Sequence, residues 1–309
     1  MSATVMIPTF RRPQGLARVL RALARQKDPG IGWDVLVIDN DPPNGRPAFD
    51  GVAAGLPVRA RVVDEPVNGS AHARNRGISE ITAEITVMLD DDVQPADDWL
   101  VALLEPILEG RCDATGGRVL LDPEVPLPSW FDARRLGGYL AQWDPAEQER
   151  YVQPDETLVT SNCAFDTAIL RRAGGFDPGL GPRAGNPLVN DDVLLTRRVR
   201  AVGGRIRFVP DAVVVHDLPA ARLRAAYLLR RAYAHGRSDW ILEAEALSRG
   251  RAKGAGAALR ALGAQLGRRL REGIARPEVA FHAACDVSRA AGCLRESLAA
   301  LVRRGVHLG

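Results

Sequence analysis

The sequence predicts an α/β protein in which helices cover a mostly parallel sheet, followed by a basic helical extension at the C-terminus. Three observations predict this fold class. Short β-branched runs alternate with amphipathic segments through the first third of the chain. Hydrophobic residues make up 46% of the 309 residues, enough for one large domain and an appendage. Basic residues outnumber acidic ones only after residue 218. Because strands that alternate with helices usually pair in parallel, the predicted sheet is mostly parallel.

Each element is predicted from its own pattern, β-branched runs for strands and apolar residues at helical spacing for helices. The first helix is predicted to start at a proline, whose fixed φ suits that position. The predicted strands are residues 4–7, 35–38, 61–63, 84–89, 206–209 and 213–215, and the predicted helices are one from Pro13, 70–81 and 95–108. Residues 121–154 contain Pro, Trp and Tyr without clear periodicity, which indicates a long loop or cover over the sheet edge.

Charge divides the chain near residue 218. Residues 219–309 contain 17 Lys and Arg against 7 Asp and Glu, whereas residues 1–218 contain 24 against 31. An acidic body therefore carries a basic extension, and we expect a domain boundary near "HDLPAAR", just after His216. Within the body we distinguish a first half, residues 1–110, and a second half, residues 111–218.

The composition excludes several classes of protein. The N-terminus lacks the apolar core of a signal peptide, and no uncharged apolar run approaches the ~20 residues of a membrane span. The four cysteines are scattered without a CxxC pair, which argues against a disulfide framework or a zinc site. We therefore expect a cytoplasmic protein.

Aspartates follow two of the predicted strands at their carboxyl ends. In "EITVMLDDDVQPADDWL", residues 84–100, an apolar run ends in Asp90, Asp91 and Asp92, and Asp39 follows the second strand. Ligands of such sheets bind outside the carboxyl ends of the strands. Adjacent carboxylates resist burial, but a Mg²⁺ or Mn²⁺ ion would neutralise them, together with substrate phosphates. The alternative is a solvated acidic turn, which is common on protein surfaces.

Seven ordered motifs resemble one enzyme family. They are "VMIPTFRRP" (5–13), "VLVIDNDP" (35–42), "NGSAHARNRG" (68–77), "LDDDVQPADDWL" (89–100), "SNCAF" (161–165), "RAGGFDPGLG" (172–181) and "NDDVLLTRRVRAVGGRIRFVPDAVVVH" (190–216). This succession resembles the family 2 inverting glycosyltransferases of GT-A fold, over residues 3 to about 237. Within that family, "TFRRP", "DND" and the basic segment after the last His resemble bacterial succinoglycan-type exopolysaccharide glucosyltransferases.

The resemblance implies a nucleotide site at the ends of the first strands. By position, Pro8, Thr9 and Arg11 would line the base. Asp39 would accept a hydrogen bond from the uracil N3–H. Arg74 would lie near the base and phosphates, and Asp90 would contact the ribose hydroxyls. Asp91 is assigned to the same site, with the alternatives that it only orients its neighbours or faces solvent. For Arg74 the alternative is a salt bridge on a helix face.

The resemblance also implies a metal site and a base. Asp92 would hold Mn²⁺ or Mg²⁺ against the donor diphosphate, and His216 would contact the metal, although a lone His after an apolar run is more often packed or superficial. Asp191 and Asp192 align with the family's Glu-Asp pair, so Asp192 matches the catalytic base and Asp191 stands one methylene short. In the other register Asp191 is the base. Both could equally stabilise a helix N-terminus.

The implied function is metal-dependent transfer of a sugar from a nucleotide sugar, UDP-glucose in this subfamily, to a lipid-linked saccharide acceptor. Residues 1–218 would be the catalytic domain, in a nucleotide-binding half and an acceptor-side half. Two alternatives stay open. A sugar nucleotidylyltransferase shares the scaffold but needs a lysine near its phosphate loop, and the only lysines are Lys27 and Lys253. An inactive scaffold would have lost the metal or base residues.

Three interpretations of the basic extension remain. It packs on the catalytic domain or on a second copy, or it makes a peripheral contact with the anionic cytoplasmic face of a membrane, which basic amphipathic helices favour. Nucleic-acid binding is the weakest, because aromatic residues are sparse and no nucleic-acid motif is present.

Overall fold

The computed structural model describes residues 1–42, 49–50, 55–248 and 277–305, and it confirms the α/β fold class. The strands of the described chain are β1 (Ser2–Thr9), β2 (Gly32–Asp39), β3 (Ala60–Asp64), β4 (Ile85–Leu89), β5 (Val93–Pro95), β6 (Ala114–Pro123), β7 (Arg150–Tyr151), β8 (Asn162–Asp166) and β9 (Ile206–Leu218). They form one sheet in the order β3-β2-β1-β4-β8-β6-β9-β5, and β7 also pairs with β9.

The helices of the described chain lie between and after these strands. They are α1 (Pro13–Leu23), α2 (Ser70–Glu80), α3 (Trp99–Leu108), α4 (Ala133–Leu136), α5 (Thr167–Arg172), α6 (Asp191–Ala201), α7 (Ala225–Ser248) and α8 (Pro277–Gly305), with 3₁₀ turns at Gly137–Leu140 and Ala220–Leu223. Within the described residues, no helix is both long enough and apolar enough to cross a bilayer.

The first half of the sheet is parallel, as predicted. β1 pairs in parallel with both β2 and β4, and β2 pairs in parallel with β3. Strand β4 is wholly buried, β1 is mostly buried, and β2 is buried from Val35 to Asp39, because their side chains meet helices on the sheet faces. Their carboxyl ends therefore share one edge, where the predicted site residues follow.

The second half of the sheet is antiparallel, which strand–helix alternation did not predict. β8 runs antiparallel to β4, and β6 runs antiparallel to β8. The two strands predicted on either side of Pro210 are a single strand, β9. Its first part pairs with β7 and its last part with β5, so Pro210 lies between the two ladders. A proline lacks the N–H that a central ladder position requires.

Two other segments differ from the expected elements. The predicted helix at 95–108 begins at Trp99, because residues 93–95 pair with β9 as strand β5. The predicted cover at 121–154 contains regular structure, namely the end of β6, helix α4 and strand β7. Both differences arise from pairing with distant strands, which local periodicity does not report.

Asn162 joins several elements of the second half. Its side-chain amide donates to Arg118 O (2.9 Å) on β6 and to Ala212 O (2.8 Å) on β9, and its oxygen accepts from Trp99 Nε1 (2.7 Å) on α3. The side chain is fully buried, so these three bonds satisfy polar groups that would otherwise be costly. The "SNCAF" motif thus has a structural role at this residue.

The chain forms two compact units. The sheet unit comprises Met1–Asp122, Ala141–Gly185 and Asp191–Asp217, and the helical unit comprises Pro123–Leu140, Asn186–Asn190 and Leu218–Gly309. Within the helical unit, α7 and α8 approach closely at glycines. A Cβ on Gly236 would lie 1.8 Å from Arg289 O, and one on Gly292 would lie 2.1 Å from Tyr233 O. Glycine at these positions lets the two backbones touch.

Candidate functional site

The site lies at the carboxyl ends of β1 and β4 in the sheet unit. Thr9 ends β1, and Asp90, Asp91 and Asp92 follow β4 directly. Parallel pairing of β1 with β4 brings these residues together. Thr9 is buried and its Oγ1 donates a hydrogen bond to Asp91 Oδ2 at 2.7 Å. Two of the predicted nucleotide-site residues therefore contact each other directly.

Arg12 contacts two members of the aspartate triplet, Asp91 and Asp92, and sequence reasoning missed it. Its Nη1 lies 3.0 Å from Asp91 Oδ1 and 2.5 Å from Asp92 Oδ2. The predicted neighbour Arg11 instead donates to Asp41 Oδ2 at 2.7 Å. Arg11 adopts a left-handed φ of 56°, so the backbone turns between the two arginines and separates their side chains. The signal in the sequence was the doubled arginine of "TFRRP".

Burial makes Asp91 a weaker acid than an ordinary aspartate. Its side chain is 7% exposed. Burial raises the pKa of the Asp91 carboxyl to about 6, with a further increase from the Asp92 carboxylate, while Arg12 and the Thr9 hydroxyl act in the opposite direction. Asp91 is therefore a buried residue whose carboxylate contacts and orients Thr9 and Arg12. This position agrees with the alternative that Asp91 orients its neighbours.

Asp92 and His216 converge, although they are 124 positions apart in the sequence. β9 pairs antiparallel with β5, which places His216 opposite Val93, and Asp217 N donates to Asp92 O at 2.9 Å. As a result His216 Nε2 lies 3.3 Å from Asp92 Oδ2. His216 is buried and Asp92 is mostly buried. The Asp92 carboxylate suits Mn²⁺ or Mg²⁺, with phosphate oxygens and water as further ligands.

The described residues contain no group of three or more His, Cys, Asp or Glu that could hold a metal by itself. Arg12 places a positive charge beside Asp92.

Arg74 links the end of β4 to the start of α6. Its Nη2 donates to Asp90 Oδ1 at 2.9 Å and its Nη1 donates to Asp191 Oδ2 at 3.0 Å. Arg74 is buried; burial lowers the pKa of its guanidinium, but the carboxylates of Asp90 and Asp191 outweigh burial and leave that pKa raised. The Nε of Arg74 is buried without a hydrogen-bond partner. Arg74 is therefore paired with two aspartates outside its own helix, Asp90 and Asp191, rather than with a neighbour on the same helix face.

A second layer of contacts holds Arg74 in place. The guanidinium lies 5.4 Å from the centre of the Phe176 ring. Asn75 donates to Phe176 O (2.9 Å) and accepts from Phe176 N (2.8 Å), and Arg198 on α6 donates to Gly175 O at 3.2 Å. Gly175 has a φ of 63°, which the "GGFD" turn requires. The "ARN", "GGFD" and "TRR" motifs therefore meet around one arginine.

Asp191 and Asp192 begin α6 and differ in accessibility. Asp191 is buried, and its Oδ2 accepts from Arg74 and from Ser70 Oγ (3.4 Å). Asp192 is half-buried, and its Oδ1 accepts from Val193 N at 2.8 Å. Both carboxylates also lie at the positive end of the helix dipole, as the alternative interpretation held. Asp191 is engaged by a cation, whereas Asp192 is the more accessible of the two.

A pocket of about 570 Å³ lies beside the ends of β2 and β3 in the sheet unit. Arg11 is among its lining residues, whereas Asp39 is 1% exposed and accepts from Asp41 N at 3.0 Å. Pro8 is half-buried within β1. The lining residues are Phe10, Arg11, Asn40, Asp41, Pro42, Asp64, Pro66, Asn68 and Ala184. Sequence reasoning did not select Asn40. Its Nδ2 donates to Glu65 O and Val67 O, and its Oδ1 accepts from Gly69 N, so it links the end of β2 to the segment after β3.

The structure therefore divides the predicted residues into two contact groups within the sheet unit. Thr9, Asp91, Asp92 and His216 are joined by direct contacts, which also include Arg12. Asp90 and Asp191 are joined through Arg74. Pro8 and Asp39 lie near the ends of β1 and β2, and Arg11 lines the pocket. Asp192 lies in the first turn of α6, where its charge also raises the pKa of Arg74.

Comparison with known proteins gives a family match. The sequence model of Glycosyl transferase family 2 matches residues 4–173. A pre-mycofactocin glycosyltransferase of Mycobacterium tuberculosis (strain CDC 1551 / Oshkosh) is 27% identical over 220 residues, covering 69% of this chain and 42% of that protein. The chain thus spans less than half the length of this relative. Glycosyltransferase AglE of Haloferax volcanii is 26% identical over 258 residues, covering 80% of this chain and 76% of that protein.

Solved structures share the fold. A mannosyltransferase from Pyrobaculum calidifontis in complex with GDP-Man and Mn²⁺ superposes with a TM-score of 0.57 at 21% identity, covering 99% of this chain and 79% of that one. S. aureus TarS 1–349 in complex with UDP superposes with a TM-score of 0.54 at 15% identity, covering 96% and 92%. At these identities the likeness shows the fold, and it confirms the GT-A architecture that the motif resemblance implied.

Proposed function

Because the chain belongs to glycosyl transferase family 2, we propose that it transfers a sugar, with inversion, from a nucleotide sugar to a saccharide acceptor. Membership of this family supports the proposal, since the relatives that the chain resembles are glycosyltransferases. The finer proposal is a UDP-sugar, with glucose as the sugar, and a role in exopolysaccharide or cell-surface glycan assembly. The observation that carries the proposed site is Arg74, which connects an aspartate of the strand end to the acidic start of α6.

The donor side of the proposed mechanism uses the ends of β1, β2 and β4. Thr9, Asp39 and Asp90 contribute polar groups for the nucleoside, with Pro8, Arg11 and the neighbouring pocket receiving the base. Arg74 is fixed in its charged form by two carboxylates, and it orients Asp90. Asp91 is the support beneath Thr9 and Arg12. These groups bind and orient the donor before the reaction, which reduces the entropic barrier.

Asp92 and His216 are the residues that would hold Mn²⁺ or Mg²⁺. When bound, the ion would act as a Lewis acid that stabilises charge on the leaving diphosphate. Its structural relatives support this assignment, since the Pyrobaculum enzyme was solved with Mn²⁺ and a nucleotide sugar.

Asp192 is the proposed general base. The acceptor hydroxyl must lose a proton as it attacks the anomeric carbon, so a reachable carboxylate has to accept it. Asp192 is half-buried at the start of α6, whereas Asp191 is buried and paired with Arg74. Asp191 therefore fits a role in orienting Arg74 and the helix start.

The acceptor is proposed to be lipid-linked, with the helical unit in peripheral contact with an anionic membrane surface. Val125 and Leu127 are 41% and 44% exposed in this unit, and the exposed Arg134 and Arg135 follow them in the chain. Exposed apolar side chains with adjacent cations suit the interface of an anionic bilayer. The region 249–276, which holds much of the basic charge, lies outside the described residues.

Thermal unfolding with a panel of nucleoside diphosphates and nucleotide sugars, with and without Mn²⁺, tests this function. A ligand at a hundredfold excess over its Kd stabilises the folded state by about 2.7 kcal/mol. We expect stabilisation by UDP and one UDP-sugar that depends on Mn²⁺ and is lost in Asp92→Ala. Glu296→Gln, far along the chain on α8, serves as the control that keeps the response. A chain that responds to no nucleotide would contradict the proposal and favour the inactive-scaffold alternative.

A further inference from the structure

Two side chains of the sheet unit converge on one oxygen atom, Asp92 Oδ2. Arg12 Nη1 donates to this oxygen at 2.5 Å, and His216 Nε2 lies 3.3 Å from it. The same Arg12 nitrogen also donates to Asp91 Oδ1 at 3.0 Å. The Arg12 guanidinium therefore bridges two successive carboxylates, and it contacts the oxygen of Asp92 that lies beside His216.

The backbone at Arg12 is held against the same aspartates. Arg12 directly precedes α1, and the first turn of this helix packs on the triplet, since a Cβ at Gly15 would lie 2.4 Å from Asp91 O. Glycine at position 15 permits this close approach. The start of α1 is thereby fixed beside Asp91, so a movement of Arg12 away from Asp92 would be a movement of its side chain.

Arg12 is the partner in this ion pair that can leave. Its side chain is 43% exposed, whereas those of Asp91 and Asp92 are 7% and 16% exposed. Burial lowers the pKa of the Arg12 guanidinium, but the carboxylates of Asp92 and Asp91 outweigh burial and leave that pKa raised. Arg12 thus stays charged, and a charged, half-exposed side chain can turn toward solvent or toward a bound anion while the carboxylates stay in place.

We propose that Arg12 competes with the divalent ion for Asp92, and that it contacts the donor diphosphate when the ion has displaced it. The proposal rests on the proposed function, in which Asp92 holds Mn²⁺ or Mg²⁺. A guanidinium and a divalent cation repel each other and use the same carboxylate oxygens, so each weakens binding of the other. The displaced guanidinium suits phosphate, which arginine binds through charge-assisted hydrogen bonds. Arg12 therefore makes the metal ion bind weakly until the donor is present.

Four variants separate this competition from the general effect of charge. Arg12→Gln removes the charge and keeps an unbranched side chain, whereas Arg12→Lys keeps the charge on a single, strongly hydrated ammonium. The double variant Arg12→Gln/Asp92→Asn shows whether the effect passes through Asp92. Arg25→Gln is the matched control. It removes an arginine just after α1 whose partner is Asp97 at 3.3 Å, in a pair with both side chains more than half exposed.

Binding of Mn²⁺ alone is the first readout, and electron paramagnetic resonance of the free ion measures it without substrate or turnover. We expect Arg12→Gln to lower the Kd for Mn²⁺ by about tenfold or more, because a competing positive charge has left the carboxylate. Arg12→Lys should lower it by about threefold, and Arg25→Gln should leave it within about twofold of wild type. The double variant should bind Mn²⁺ no more tightly than Asp92→Asn. An equal Kd in wild type and Arg12→Gln would overturn the proposal.

Binding of UDP at saturating Mn²⁺, measured by calorimetry, is the second readout and should change in the opposite direction. We expect Arg12→Gln to raise the Kd for UDP by about tenfold, because a charge-assisted contact with phosphate is lost. A residue with only a structural role would weaken both ligands, so tighter Mn²⁺ with weaker UDP is the signature of competition. An unchanged Kd for UDP would refute the contact between Arg12 and the diphosphate.

The two readouts also distinguish this proposal from the proposed function. A wild type that binds Mn²⁺ but no nucleotide would contradict the proposed function, and the Mn²⁺ measurement would still decide on the competition. A wild type and an Arg12→Gln variant that both fail to bind Mn²⁺ would refute the competition. Folding of each variant is checked by circular dichroism. If Arg12→Gln does not fold, Arg12→Lys decides, since a Kd for Mn²⁺ equal to that of the wild type would then overturn the proposal.

Discussion

At the scale of single residues, the doubled arginine of "TFRRP" shows how far a motif can locate a function. The motif indicated that a cation approaches the nucleotide site, and Arg11 was the expected one. The structure directs Arg12 to Asp91 and Asp92 and directs Arg11 to Asp41, because a left-handed turn at Arg11 separates them. Sequence alone does not report φ, so the choice between two adjacent identical residues required the backbone.

The assignment of the base can be tested with two neighbouring substitutions. Asp192→Asn should lower kcat by about 10²- to 10⁴-fold, the usual contribution of a general base, and leave donor binding unchanged. Asp191→Asn removes a charged partner from the buried Arg74, so the free energy of unfolding should fall by about 1–3 kcal/mol. Transfer rates, donor affinity and thermal unfolding of both variants distinguish the roles. A fully active Asp192→Asn beside an inactive Asp191→Asn would make Asp191 the base.

At the scale of elements, the site depends on strand pairing that has no local signal. His216 reaches Asp92 only because β9 pairs with β5 in the register that sets His216 opposite Val93. Shifting this register by one residue would turn the imidazole to the other face of the sheet. The resemblance suggested His216 because the family often has a histidine at this place, and the contact with Asp92 is consistent with that prediction.

Helix α7 contains a histidine whose titration should make the helical unit sensitive to acid. His235 packs its ring edge-on against Tyr139, with centroids 5.0 Å apart, and its Nε2 is buried without a partner. Burial, with help from Arg231 and Arg289, lowers the pKa of His235 to about 3 from the ordinary 6.5. Below pH 6.5 the unfolded chain binds a proton that the folded helices reject until about pH 3, so stability falls as the pH falls through this window.

Replacing His235 should reduce that sensitivity. The free energy of unfolding should lose up to about 1.4 kcal/mol per pH unit below pH 6.5 from this group, and His235→Gln should remove that slope. Denaturant unfolding at several pH values, followed by a probe in the helical unit, measures it. His72→Gln, which removes a histidine of the sheet unit, is the control. An identical slope in the wild type and His235→Gln would show that the pKa of His235 does not differ between the folded and unfolded chain.

At the scale of the whole molecule, the chain changes unit at residues 217 and 218, close to the boundary expected from charge. The expected division into a catalytic domain at 1–218 and an extension at 219–309 stays a prediction. The helical unit also includes Pro123–Leu140 and Asn186–Asn190. These segments bury Leu136, Tyr139, Leu140, Leu188 and Val189.

Ending the chain after Asp217 tests whether the expected domain is independent. The apolar side chains of residues 123–140 and 186–190 would lose the rest of their unit, and Asn190 would lose Asp239. We expect this shortened chain to aggregate, which size-exclusion chromatography detects, because newly exposed apolar patches promote association. A monomeric fragment with wild-type nucleotide-dependent stabilisation would instead establish residues 1–218 as a self-sufficient domain.

The sequence by itself determined the family, the fold class, the parallel first half of the sheet and the aspartates at the strand ends. These features follow from local periodicity and from short motifs, which neighbouring residues specify. Only the tertiary structure decided that Arg12 faces the triplet, that Arg74 joins Asp90 to Asp191, and that Asp239 anchors Asn190. Each of these contacts depends on backbone direction or on pairing between segments far apart in the chain, and no pattern within one segment contains that information.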